Sequence, residues 1–201
     1  MEIEVRRLGL VDYDAAWALQ RELAGQATPD RGFLLLLEHP PVITLGRNAD
    51  PSNILDAGDV PVRSIDRGGD VTWHGPGQLV GYPILDVRRW GVKRFVRGLE
   101  RSVVDLCARL GVKAWTKPAC VGVWASQGKI ASLGVRISRG ISMHGFALNV
   151  GSDLSGFARI HPCGAPGCAM TSVSRERGRE TPVEEAADHF RLRLDGPVLR
   201  S

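Results

Sequence analysis

Phe33-Leu34-Leu35-Leu36-Leu37 is an unbroken apolar run, stopped by Glu38-His39-Pro40-Pro41. Its shortness predicts a strand rather than a helix, and its lack of alternation predicts burial on both faces. Such a strand implies a sheet covered above and below. Val42-Ile43-Thr44-Leu45 reads as a second strand ending at Gly46-Arg47. Residues 62–66, 71–73 and 79–85 read as further strands around a glycine-rich stretch, 67–77. Segments 121–125, 129–137 and 143–150 are strand-like and joined by Ser/Gln/Gly and Ser/Arg/Gly turns.

Helix signals interrupt these strands. Asp12 reads as the N-cap of a first helix, with Tyr13, Ala16, Trp17, Leu23 and Ala24 apolar and Gly25 ending it. Val96, Leu99, Val103, Leu106 and Leu110 keep helical spacing over 92–110, and Gly111 is a natural stop. Thr181-Pro182-Val183-Glu184 has the pattern of a capping box, predicting a helix through about Leu192. The order predicts one α/β domain over 1–201, mixed α and β. Its strands are expected to be hairpin-connected rather than strictly alternating with helices.

Composition narrows the class. At 201 residues the chain can bury a sizeable core without splitting in two. The first residues lack the basic and apolar regions of a secretory signal. No apolar run approaches the ~18 residues that span a bilayer. A soluble, cytoplasmic protein without membrane association is expected. The net charge of +4 suits an acidic partner. No basic run is interleaved with stacking aromatics, so nucleic acid is not expected. The four cysteines form no Cys-x-x-Cys pair, and no metal site or cofactor is expected.

Two side chains are out of place. Lys129, one of four lysines, stands in an otherwise apolar strand. Cys163 stands between Pro162 and Gly164, in a turn that would present it outward near backbone N–H groups. A thiol and an amine can carry acyl transfer between them. A free thiol is only about 3% ionised at pH 7, so full ionisation gains at most ~30-fold. Deprotonating an acceptor amine at pH 7 costs roughly 4.6 kcal/mol, so a base is needed there. Cys107, on the apolar side of its helix, reads as a core residue, and Cys120 as the same. Cys168 is a spectator or an oxidation partner. Lys93, Lys113 and Lys117 fall at helix flanks or loops.

The densest motif is Arg67-Gly68-Gly69-Asp70-Val71-Thr72-Trp73-His74, followed by Gly75-Pro76-Gly77-Gln78. Its glycines would let backbone N–H groups approach a ligand closely. A ligand-free pair of tight turns fits the same composition. The stretch is not a P-loop, because it lacks the Gly-Lys-Ser/Thr ending. Ser132-Leu133-Gly134 and His144-Gly145-Phe146-Ala147-Leu148-Asn149-Val150 offer further small-residue strands where a ligand could lie, or plain sheet packing.

Together these segments resemble the lipoyl(octanoyl) transferases. The resemblance rests on Glu38–Pro41 with Thr44–Arg47, Arg67–Gln78 with Tyr82-Pro83-Ile84, Gly128–Ala131 and His144–Val150. It closes with Asp153-Leu154, Phe157, Ile160, Pro162-Cys163-Gly164 and Thr171-Ser172, and covers roughly residues 33–173. It implies a single domain similar to biotin and lipoate protein ligase catalytic domains, with a mixed sheet flanked by helices. It implies that Cys163 takes octanoyl from octanoyl-acyl carrier protein as a thioester, without ATP. The acceptors would be lysines on lipoyl domains of 2-oxo-acid dehydrogenase E2 subunits and on glycine cleavage H protein. Lys129 would lower the thiol pKa and relay protons. Substrate binding would fall to Arg67–His74, Ser132–Gly134 and Gly145–Ala147, with Trp73 shaping the pocket wall. An ATP-dependent ligase, a non-catalytic acyl-binding module and a cysteine hydrolase using His74 or His144 are the alternatives.

Overall fold

The computed structural model describes residues 1–118, 120–151 and 153–194. It opens with β1 (Glu2–Leu10), crosses through α1 (Tyr13–Ala24) and returns as β2 (Arg31–Glu38), parallel to β1. This βαβ unit opens a sheet whose strands, as expected, do not alternate strictly with helices. The charged residues of β1 hide its strand character, yet they suit it to a sheet edge. Asp12 caps α1 as expected, its carboxylate accepting from the N–H groups of Asp14 and Ala15.

β3 (Val42–Leu45), β4 (Val62–Ser64) and β5 (Val71–His74) leave the main sheet and form a small one, ordered β4-β3-β5. The chain rejoins the main sheet as β6 (Gln78–Ile84) and then forms α2 (Val92–Arg109). β7 (Trp115–Lys117), β8 (Cys120–Ala125), β9 (Gly128–Ser138) and β10 (Ile141–Asn149) complete it, in the order β1-β2-β6-β10-β9-β8-β7. Every neighbouring pair in it except β1–β2 is antiparallel. Two short helices follow, α3 (Val173–Arg177) and α4 (Val183–His189).

β2 lies inside this sheet, and its side chains divide between the faces. Leu34 and Leu36 join Val103 and Leu106 of α2 and Ala186 of α4 in one core. Phe33, Leu35 and Leu37 pack with Ala16 and Leu23 of α1 in another. The sheet is therefore mixed and flanked by helices. Gly111, with φ +78°, is the left-handed residue just past the Leu110 cap of α2.

The capping box at Thr181 is not formed. Thr181 Oγ1 accepts from Arg177, and its N–H donates to Ser174 Oγ, so the hydroxyl is turned away from α4. α4 also ends at His189, short of Leu192. Phe190 leaves the helix in extended backbone and packs its ring 4.9 Å from that of Phe146.

Candidate active site

Lys129 enters the sheet at the start of β9, opposite Trp124 of β8, and only 2% of it is exposed. Burying an ammonium is costly unless it is hydrogen-bonded. Its Nζ donates to Val121 O at 3.1 Å and to Cys163 Sγ at 2.9 Å, and lies 5.8 Å from the Trp124 ring centroid. Gly122 makes room for it. At φ +139°, a Cβ there would stand 2.5 Å from Lys129 Cε and 2.8 Å from Ala131 O.

Cys163 sits in the tight turn Pro162–Gly164 with φ 58° and ψ 25°, a left-handed conformation uncommon for a side-chain-bearing residue. The turn presents its thiol outward. Hydrogen bonds fix the turn: Gly164 N–H to His161 O at 3.0 Å, and His161 N–H to Asn53 O at 2.7 Å. Asn53 Nδ2 in turn donates to both carboxylate oxygens of Asp70 at 3.2 Å. The nucleophile candidate is thus fastened to the small-sheet side, while the lysine belongs to the large sheet.

A cavity of about 230 Å³ opens at this contact. Of the expected binding residues it is lined by Arg67, Gly69, Asp70, Val71, Thr72 and His74, by Ser132, Leu133 and Gly134, and by Gly145, Phe146 and Ala147. Gly68 and Trp73 are not on its wall. Gly68 instead ties the two sheets, donating its N–H to Val135 O at 3.0 Å. Trp73 faces the opposite side of β5, its ring edge-on to Phe157 at 5.4 Å. The reading of Trp73 as pocket wall fails because its ring is taken up in the apolar cluster of Ile43, Leu154 and Phe157.

Sequence reasoning left Tyr13, Tyr82, Cys120 and Val121 out of the wall they help to form. Cys120 is exposed, not a core residue, whereas Cys107 is fully buried and its thiol is pushed up to about 12 by burial. Cys107 lies on the buried stripe of α2, whereas Cys120 opens β8 just after the Lys117 end of β7, where its side chain stays at the surface.

Arg67 is buried beside the cavity. Its Nη2 donates to Thr44 O at 2.8 Å and Thr44 Oγ1 at 2.9 Å, and burial depresses its proton affinity. His74 hydrogen-bonds Gln78 Oε1 at 3.1 Å, and His144 Nε2 hydrogen-bonds Asp66 at 2.8 Å. Burial holds both imidazoles below the usual histidine range, His74 most of all. Tyr82 Oη meets His39 Nε2 at 2.7 Å, and burial raises the phenol. Among the described residues no group of three or more His, Cys, Asp or Glu is arranged to hold a metal ion. Nor is any described helix long and apolar enough to cross a membrane.

The fold, a seven-stranded mixed sheet beside a smaller one, is shared with solved lipoate and biotin ligases. A crystal structure of lipoate-protein ligase A bound with ATP superposes at a TM-score of 0.72 with 16% identity, covering 94% of this chain and 82% of that one. A biotin protein ligase from Aquifex aeolicus, in complex with biotin and ATP, gives a TM-score of 0.56 at 12% identity, over 92% and 66% of the chains. In sequence, the lipoyl protein ligase A/B catalytic domain model matches residues 12–194. An octanoyltransferase of Geobacter sulfurreducens is 52% identical over 183 residues, 89% of this chain and 77% of its own. The chain belongs to the lipoyl protein ligase A/B catalytic-domain family, among its octanoyltransferases.

Proposed function

We propose that this octanoyltransferase moves an octanoyl group from octanoyl-acyl carrier protein, through a thioester on Cys163, to a lysine of a lipoyl domain, without ATP. The observation that carries the reading is the 2.9 Å contact between Lys129 Nζ and Cys163 Sγ at the mouth of an apolar slot. In the first step the Cys163 thiolate attacks the thioester carbonyl of the donor. The carrier's pantetheine sulfur leaves and takes a proton from the Lys129 ammonium. In the second step the acceptor lysine gives one proton to the now neutral Lys129, and its amine attacks the acyl-enzyme. The Cys163 thiolate leaves, the second proton goes to solvent, and the starting ion pair is restored.

The donor carbonyl is already activated as a thioester, so adenylation has no task here. Leu133, Phe146 and Ala147 offer apolar surface to an alkyl chain. A protein of net charge +4 would meet acidic carrier and lipoyl domains with favourable steering. The acceptors proposed are the lipoyl domains of 2-oxo-acid dehydrogenase E2 subunits and glycine cleavage H protein. Cys163 and Lys129 are the proposed catalytic residues. The cavity residues among Arg67–His74, Ser132–Gly134 and Gly145–Ala147 are the proposed binding residues.

Intact mass spectrometry after mixing with octanoyl-carrier protein, with no nucleotide present, tests the reading. An octanoyl adduct lost in Cys163→Ala, and discharged by a lipoyl domain, is the expected result. An adduct that forms only with ATP, or transfer that survives in Cys163→Ala, would overturn it and favour a ligase.

A further inference from the structure

Glu100 is a carboxylate on the buried face of α2. It stands four residues after Val96 and three before Val103, a position that helical spacing assigns to the core. It is only 9% exposed. An ionisable side chain there is costly unless its charge is satisfied. Its Oε1 accepts the N–H of Gly122 at 3.0 Å, reaching from α2 across to β8. The carbonyl of that same peptide unit is Val121 O, which accepts from Lys129 Nζ at 3.1 Å. Carboxylate, peptide and ammonium therefore lie in one chain of hydrogen bonds that ends on Cys163 Sγ at 2.9 Å.

The peptide between Val121 and Gly122 cannot choose its orientation freely. Gly122 holds φ +139°, and a side chain there would strike Lys129. A glycine that permits this conformation also permits others, so something must select it. The bond from Glu100 does. A carboxylate at the N–H end polarises the peptide, strengthening its carbonyl as an acceptor for the lysine. We infer that Glu100 is a positioning residue for Lys129, aiming its ammonium at Cys163 through the Val121–Gly122 peptide.

The surroundings leave this role to Glu100. The other charged or ionisable groups near Lys129 are the thiols of Cys120, Cys163 and Cys168, with Lys117 stacked over Trp124 at 3.6 Å. Arg67 and Asp70 also line the cavity, but Arg67 bonds Thr44 and Gly68, and Asp70 bonds Asn53 and Val71. Glu176 bonds Thr171, whose N–H donates to Lys129 O, so it holds the strand and not the ammonium. Glu100 alone among these binds the peptide that holds Nζ.

The inference rests on the proposed transfer only for its turnover arm. Alkylation of Cys163 by iodoacetamide at pH 7, followed by peptide mass spectrometry, reads the Lys129–Cys163 contact whether or not transfer occurs. Glu100→Ala should slow alkylation at least threefold. It should lower kcat for octanoyl transfer at least tenfold, with the donor KM within twofold. Glu100→Gln keeps an oxygen for the Gly122 N–H and should fall between wild type and Glu100→Ala in both assays. Wild-type alkylation and turnover in a Glu100→Ala protein that melts cooperatively would overturn the assignment. If Glu100→Ala does not fold, Glu100→Gln carries the test, and wild-type values for it overturn the assignment equally. A wild-type enzyme that never forms the octanoyl adduct sinks the transfer reading instead, and leaves the alkylation comparison standing.

Discussion

Lys129 and Cys163 are the candidate-site residues most legible in the sequence, because each is a type its setting does not call for, and the fold brings them into contact. A lysine in a strand of Ile130, Ala131 and Leu133 must find partners in the interior, and it finds Val121 O, Trp124 and Cys163. Replacing it with Met keeps its bulk and removes a buried charge. Cys163 is exposed, and Glu100 keeps its bond from the Gly122 N–H, so neither partner is left buried and unpaired. Lys129→Met is therefore expected to melt at or above the wild-type temperature while losing roughly a hundredfold or more in octanoyl transfer. Lys129→Arg should not restore activity, since a guanidinium does not release its proton for the second step. Retained transfer in Lys129→Met under single-turnover conditions would remove the lysine from the mechanism. Other residues were illegible for physical reasons. Cys120 sits in no apolar stripe that would reveal its exposure either way, and Glu100 bonds a strand that sequence spacing does not place beside it.

At the level of elements, the nucleophile depends on a turn held from outside. Pro162–Gly164 forces Cys163 into left-handed backbone, and its fastening runs through Asn53 to Asp70 at the head of β5. Asn53→Ala removes the side-chain bonds to Asp70 and leaves the backbone bond to His161. A loss of about 1 kcal/mol in stability is expected, the ordinary net worth of such bonds. Transfer should fall further than stability does, because the sulfur drifts from Lys129. Denaturant titration beside alkylation of Cys163 checks both, and unchanged alkylation would show the turn to be rigid by itself. The sequence was a fair guide to elements that bury a regular stripe, such as α1, α2 and β2. It failed where tertiary bonds override local signals. The Thr181 cap is lost to Arg177 and Ser174, and β1 is an edge strand whose charges conceal it. That β3 pairs with β4 and β5 instead of turning back on β2 was equally invisible, for nothing within Val42–Leu45 names its partners.

The molecule as a whole is two sheets joined at a polar seam, and this gives it a pH signature. His39, His74 and His144 are all buried where α1, β5, β6 and β10 meet, with ring centroids of His39 and His74 5.8 Å apart. Burial lowers the proton affinity of each, and in His74 the neighbouring His39 and Arg67 add to it. The sign follows from which state binds more protons. In the unfolded chain these imidazoles titrate near pH 6.5, while the folded protein keeps them neutral to lower pH. Below about pH 6.5 the unfolded state therefore holds more protons, and stability falls as pH falls toward the folded values. Each histidine contributes at most ~1.4 kcal/mol per pH unit in that window. His74, whose proton affinity is lowered furthest, should contribute most. Melting temperature is expected to be flat above pH 7 and to decline between pH 6.5 and 5, before the carboxylates titrate. His74→Asn, which cannot titrate, should flatten that decline even if it lowers stability at pH 7.5. A wild-type protein equally stable at pH 7.5 and 5.5 would mean that water or rearrangement relieves the buried imidazoles, and that the seam opens far more readily than its packing implies.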